Sequence, residues 1–285
     1  MKFKLIFLLF NGIIAVSFLF VFLMPLFFLG PDYARVFWLE NWYLAAVFIL
    51  IIGGLNTYFA LNRQLFSLLE AEDWQGLRSY LEYRVFTKKR FSQQHLRILI
   101  NTYIVLSEPD KIRSLEAELN TRQSRLVPRL ALEFGIPRLL KNDPDEMIEY
   151  YDRYRNHPKA EQRDWLTWSY SFAVMQKQRS DEARDILLRL CENTREPLVR
   201  LFALYLLDAF RETDADLAER IDEYKAEFRR RYGSGKLQRE IEKNRANLQV
   251  VVLARLVKNA EEWVMSDSNT TEDAGTVSGN GSSAT

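Results

Sequence analysis

Two histidines and one cysteine are the side chains of this 285-residue chain best suited to metal ligation or nucleophilic chemistry. His95 and His157 stand 62 residues apart, and neither has a second His or Cys at ligand spacing, so a zinc site has no donor set to build on. A cation site made of carboxylates alone would have nothing in the sequence to specify it. No G-x-S-x-G elbow accompanies the histidines. The stretch "GSGK", Gly233 to Lys236, lacks the second half of a phosphate-binding loop and follows helical sequence, so it reads as a helix-ending linker. Acidic pairs such as Asp145-Glu146 and Asp181-Glu182 fall where helices begin, and carboxylates there suit the positive end of the helix dipole. The expectation is a protein that is not an enzyme, with no catalytic residues, no cofactor and no metal.

Cys191 excludes an intramolecular disulfide and agrees with a reducing compartment. It falls on the apolar side of its helix, where a buried structural thiol is expected. The formal charge of +1 gives no general drive toward nucleic acid, and none is expected as a partner. Two basic runs stand out locally. Lys88-Lys89-Arg90, with Arg84 and Arg97 nearby, is placed to meet anionic membrane lipid, whereas Arg229-Arg230-Arg231 follows a helix whose C-terminal end favours cations.

These residues must be positioned by helices of two kinds. The runs Leu5 to Leu29 and Trp42 to Leu61 carry no charge, and each can cross a hydrocarbon core of ~30 Å as a helix of about 20 residues. The first is longer than the apolar region of a signal sequence. Lys2 and Lys4 precede the first run, Arg63, Arg78 and Arg84 follow the second, and the connector holds only Arg35. This bias puts both termini in the cytoplasm, with Tyr33, Trp38, Trp42 and Tyr43 at the outer boundary. Asn11 and Asn56 are expected to hydrogen-bond between the two helices, and Gly53-Gly54 to let them approach closely. The domains expected are a two-helix transmembrane hairpin at 1–62, a cytosolic helical domain at 63–265 and a disordered tail at 266–285.

The helical domain repeats itself. "SEPDKIRSLEAEL", "KNDPDEMIEYYDRY", "QRSDEARDILLRL" and "ETDADLAERIDEY" each place polar turn residues before apolar residues at helical spacing. Ile112, Met147, Ala183 and Ala218 align, at spacings of 35, 36 and 35, and Gly76 occupies the same point one copy earlier. More apolar helices alternate with these, as in "RDWLTWSYSFAVM" and "PLVRLFALYLLDAF". Period-2 alternation is missing, which excludes strands.

A period of this length with two helices per unit resembles the tetratricopeptide repeat, whose unit is about 34 residues. In the best copy, 164–197, Ser171 and Ala183 match the family's small positions and Leu187 and Leu190 its packing positions, while Gly135 takes the small place one unit earlier. Ile100 and Leu206 are too large for that place, and Pro128 and Pro137 interrupt one first helix. The layout is similar to HemY-type bacterial inner-membrane proteins, a similarity of arrangement without a shared motif. The fold implied is all-α, a transmembrane hairpin followed by a tetratricopeptide-like α-solenoid of helix pairs.

In tetratricopeptide proteins, recurring first-helix positions line a concave groove. The matching residues here include Arg97, Asn101, Arg129, Trp165, Trp168 and Arg200, with Gln94 and Phe172. Arginines suit a carboxylate by bidentate pairing and tryptophans supply flat contact area. The alternative role for the aromatic rings is inter-helix core. The resemblance therefore implies a membrane-anchored scaffold or adaptor for a protein or peptide partner, acidic or ending in a free carboxylate, at the cytoplasmic face of a bacterial inner membrane. A second class is an accessory subunit that senses a small ligand in the groove. After Gly233 a long helix is expected, covering the exposed end of the stack, before the polar tail with its sequons at Asn269 and Asn280.

Overall fold

The computed structural model describes residues 2–213, 215–245 and 247–266, so the sequons and nearly all of the expected tail lie outside them. All regular structure among the described residues is helical. The chain divides into two compact units, Met1–Leu106 and Ser107 onward.

The first unit opens with α1, Lys2–Leu29, and α3, Trp42–Glu70. Both are long and apolar enough to cross a membrane, and within Phe7–Leu29 and Trp42–Glu70 almost no residue is buried. They run antiparallel: Phe7 meets Phe59 with ring centroids 4.6 Å apart, Asn56 Nδ2 donates to Asn11 Oδ1 at 2.8 Å, and Phe18 meets Phe48 at 5.0 Å. The expected Asn pair is present. Gly53 and Gly54, however, have no neighbour within 4 Å of an added Cβ, so they permit no close approach here.

Between them the expected connector is a helix, α2, Pro31–Glu40, started by Gly30 at φ 83 and by Pro31, whose fixed φ suits a first helical position. It folds back on α1, where Trp38 Nε1 donates to the Phe22 carbonyl at 2.9 Å. α3 runs on without a break through Asn62, Arg63 and Gln64 to Glu70. Then come α4, Trp74–Glu82, capped by Asp73 onto Gly76 N at 2.9 Å, a π-helical turn at Tyr83–Thr87, and α5, Gln93–Val105.

The second unit comprises α6 (Pro109–Arg122), α7 (Ala131–Lys141), α8 (Pro144–Arg155), α9 (Arg163–Gln176), α10 (Ser180–Asn193), α11 (Pro197–Leu207), α12 (Ala215–Lys243), α13 (Leu248–Val252) and α14 (Ala254–Met265). Each helix from α6 to α12 packs on the next, and α9 also packs on α7 and α11. Ile112, Met147 and Ala183 are buried at the aligned point, but in the fourth copy Leu217 takes the core place and Ala218 is half-buried.

Gly135 is needed for its size. A Cβ there would lie 2.6 Å from Tyr151 Oη, and that hydroxyl donates to the Gly135 carbonyl at 3.1 Å. Pro137 lies inside α7 without ending it. Ser180 is the first residue of α10 and makes no side-chain cap. Past Gly233, at φ 27 and ψ 160, the chain makes three short helical pieces where one long helix was expected.

Candidate functional site

The six groove residues read from the sequence fall into both units and take different roles. Arg97 and Asn101 lie half-buried on α5, and Arg129 is exposed in the short 3-10 turn before α7. Trp165 and Trp168 are core side chains. Their rings stand 5.6 and 5.5 Å from Phe202 of α11, and Trp168 stacks on Phe172 at 5.5 Å. With 3% and 0% exposure, neither presents a ring face to a partner. Arg200 is committed to Glu227 of α12 at 2.8 Å with its side chain 13% exposed.

Two of the helices, α7 and α11, are moreover covered by the C-terminal pieces. α13 packs on α7, where Gln249 Nε2 donates to the Leu132 carbonyl at 3.3 Å. α14 packs on α11 and α12. Trp263 anchors it: the ring meets Tyr205 at 5.7 Å, Nε1 donates to Asp208 Oδ2 at 2.7 Å, and Lys225 Nζ lies 4.5 Å from the ring centroid. Burial, with Arg229 nearby, pulls the Lys225 ammonium below its usual range. Arg229 donates to the Val264 carbonyl at 2.6 Å and to that of Ser266. Its basic run thus closes the C-terminal end of another helix, satisfying carbonyls that no helical turn can reach.

His157 closes a turn, its Nδ1 accepting from Lys159 N at 3.1 Å. Cys191 is fully buried, and burial pushes its thiol up to about 12. No group of three or more His, Cys, Asp or Glu suited to a metal ion occurs among the described residues.

A second candidate lies wholly in the first unit. A cavity of about 990 Å³ opens between the C-terminal part of α3 and the segment from α4 to α5. Tyr58, Leu61, Leu65 and Leu69 give it an apolar wall; Arg84, Lys88, Arg90 and His95 give it a basic one. The backbone brings the cations together. The π-helical turn carries Arg84, Lys88 N bonds back to the Tyr83 carbonyl at 3.0 Å, and Lys89 turns the chain at φ 50 so that Arg90 N reaches the Arg84 carbonyl at 3.1 Å. Such wide turns interrupt the α-helical ladder and are frequent at functional sites.

Arg84 donates to Tyr80 Oη at 2.6 Å, and Lys88 sits 5.3 Å from the Tyr83 ring centroid. His95 Nδ1 is buried with no hydrogen-bond partner; burial, and then Arg84, hold the imidazole below its ordinary range. Sequence reasoning singled out the basic run but not Tyr80, Tyr83 or His95 as its companions. Lys89 and Arg97, from the same run, do not line the cavity.

An "Uncharacterized protein" of Treponema pallidum (strain Nichols) is 26% identical over 230 residues, covering 76% of this chain and 73% of the relative. No solved structure matches. The family described as "Uncharacterised Treponema protein" matches residues 111–266, nearly all of the described part of the second unit and more than half of the chain. The chain belongs to that family.

Proposed function

We propose that the protein is a membrane-anchored scaffold or adaptor whose helical domain binds a peptide or protein partner at the cytoplasmic face of a bacterial inner membrane. The observation that carries this reading is the pairing of an uncovered apolar hairpin, α1 and α3, with helices packed in series from α6 to α12. A series of this kind is tetratricopeptide-like and offers long surfaces assembled from neighbouring repeats. The hairpin would confine those surfaces to the membrane and raise their effective concentration toward partners already there. The charge bias around the spans supports cytoplasmic termini, in the HemY-like layout.

Arg129, exposed before α7, is the cation best placed to pair with a partner carboxylate; Arg200 is held by Glu227. Crosslinking pull-down from native membranes tests this, comparing the intact protein with Arg129→Ala and with a chain ending at residue 247. Loss of particular partners from either form supports the adaptor. An identical partner list for all three removes the helical domain as the binding surface.

A further inference from the structure

The basic cavity of the first unit is unexplained by partner binding in the second. From residue 74 to residue 106 the chain has six Lys and Arg against one carboxylate, Glu82. Among the residues lining the cavity there is no Asp or Glu at all. Arg84, Lys88 and Arg90 have no carboxylate partner among the described residues. Aromatic contacts at Tyr80 and Tyr83 hold the first two without neutralising them. Three cations brought to one cavity by a π-helical turn and a left-handed residue, beside a buried imidazole nitrogen with no partner, supply donors suited to the oxygens of an anion.

The opposite wall says which anion. Tyr58, Leu61, Leu65 and Leu69 belong to α3, the same helix that carries the apolar run. From Trp42 to Leu61 that run spans ~30 Å at ~1.5 Å per residue, the thickness of a hydrocarbon core. Leu61 to Leu69 then extends about 12 Å further, through the depth where phospholipid headgroups lie. A free phosphate would use the cations and leave the apolar wall bare. A phospholipid uses both.

We propose that this cavity binds one anionic phospholipid, its phosphate among Arg84, Lys88 and Arg90, its glycerol backbone along Leu65 and Leu69, and its acyl chains leaving past Leu61 and Tyr58 toward the hydrocarbon core. The volume, about 990 Å³, lies at the upper end of the ~300–1,000 Å³ typical of small-molecule sites. The proposal rests on α3 crossing the membrane, and a lipid held at the junction of α3 with α4 and α5 would fix that junction relative to the bilayer surface.

The test uses the full-length protein purified in a neutral detergent, after alkaline carbonate extraction has shown whether it is integral to the membrane. That extraction reads the anchor separately from the lipid site. Thermal unfolding is followed while titrating short-chain phosphatidylglycerol, short-chain phosphatidylcholine and inorganic phosphate. The expected result is saturable stabilisation by phosphatidylglycerol, at least tenfold weaker with phosphatidylcholine, and at least tenfold weaker again in Arg84→Gln/Lys88→Gln/Arg90→Gln. Lys88→Gln/Arg90→Gln, which changes only exposed side chains, is expected to show an intermediate loss. Arg153→Gln/Lys159→Gln/Lys258→Gln removes equal charge elsewhere and is expected to bind as the parent does. Equal response to the two lipids, equal response of parent and cavity variants, or inorganic phosphate matching phosphatidylglycerol would each overturn the proposal.

Discussion

At the scale of single residues, close packing and burial decide outcomes that residue type alone does not. Gly135→Ala gains up to ~1 kcal/mol in helix propensity, yet the added methyl meets Tyr151 at 2.6 to 2.9 Å. Overpacking costs about 1–3 kcal/mol, so the urea midpoint should fall; a rise would mean that the Tyr151 ring moves aside freely. Glu116 is 7% exposed and bonded to Arg138 at 2.9 Å. Burial nevertheless raises its carboxyl above the usual range, outweighing Arg138. The folded state therefore holds this proton more tightly than the unfolded chain, and stability falls as pH rises through that window. Relative to Glu116→Gln, the parent should gain stability as pH is lowered toward the ordinary glutamate range, and a constant difference across pH would refute this.

At the scale of elements, α14 is held by a few identifiable groups. Trp263 is half-buried and meets Tyr205, Asp208 and Lys225, while Arg229 ties the far end. Trp263→Ala removes the ring that covers Lys225 and leaves Asp208 without that donor, at a cost of about 2–4 kcal/mol by analogy with other large-to-small substitutions. Hydrogen exchange should accelerate in α14 and in α11 beneath it, and remain unchanged in α8. Uniform acceleration throughout the second unit would instead show that α14 folds only together with the whole.

At the scale of the whole molecule, the testable quantity is orientation. Cys191 is buried and its thiol is pushed up to about 12, so it should be nearly inert toward maleimides and leave a clean background for introduced cysteines. The proposed topology, with both termini cytoplasmic, predicts that Asp32→Cys on α2 reacts with an impermeant maleimide on intact cells. Lys258→Cys on α14 should react only after permeabilisation. The reverse pattern would invert the proposed topology and place the basic cavity on the other side of the membrane.

Helical class, the two apolar helices and most helix positions were legible in the sequence because they depend on short-range periodicity and on the length of uncharged runs. So was the small residue at Gly135, although its partner Tyr151 was not. Core and groove look alike at this level: Trp165 and Trp168 share the spacing of a binding face, and only the approach of Phe202 on α11 makes them interior. Arg200 likewise carries no mark of Glu227, 27 residues away. The covering of α7 by α13 joins residues 117 positions apart, a contact set by packing of distant apolar faces. The basic run was visible as charge, but its assembly into a cavity required a π-helical turn, a left-handed Lys89 and the flank of α3. Local pattern determined which segments are helices; the tertiary structure decided which of their faces are free, because burial is a property of what packs against a residue and not of the residue itself.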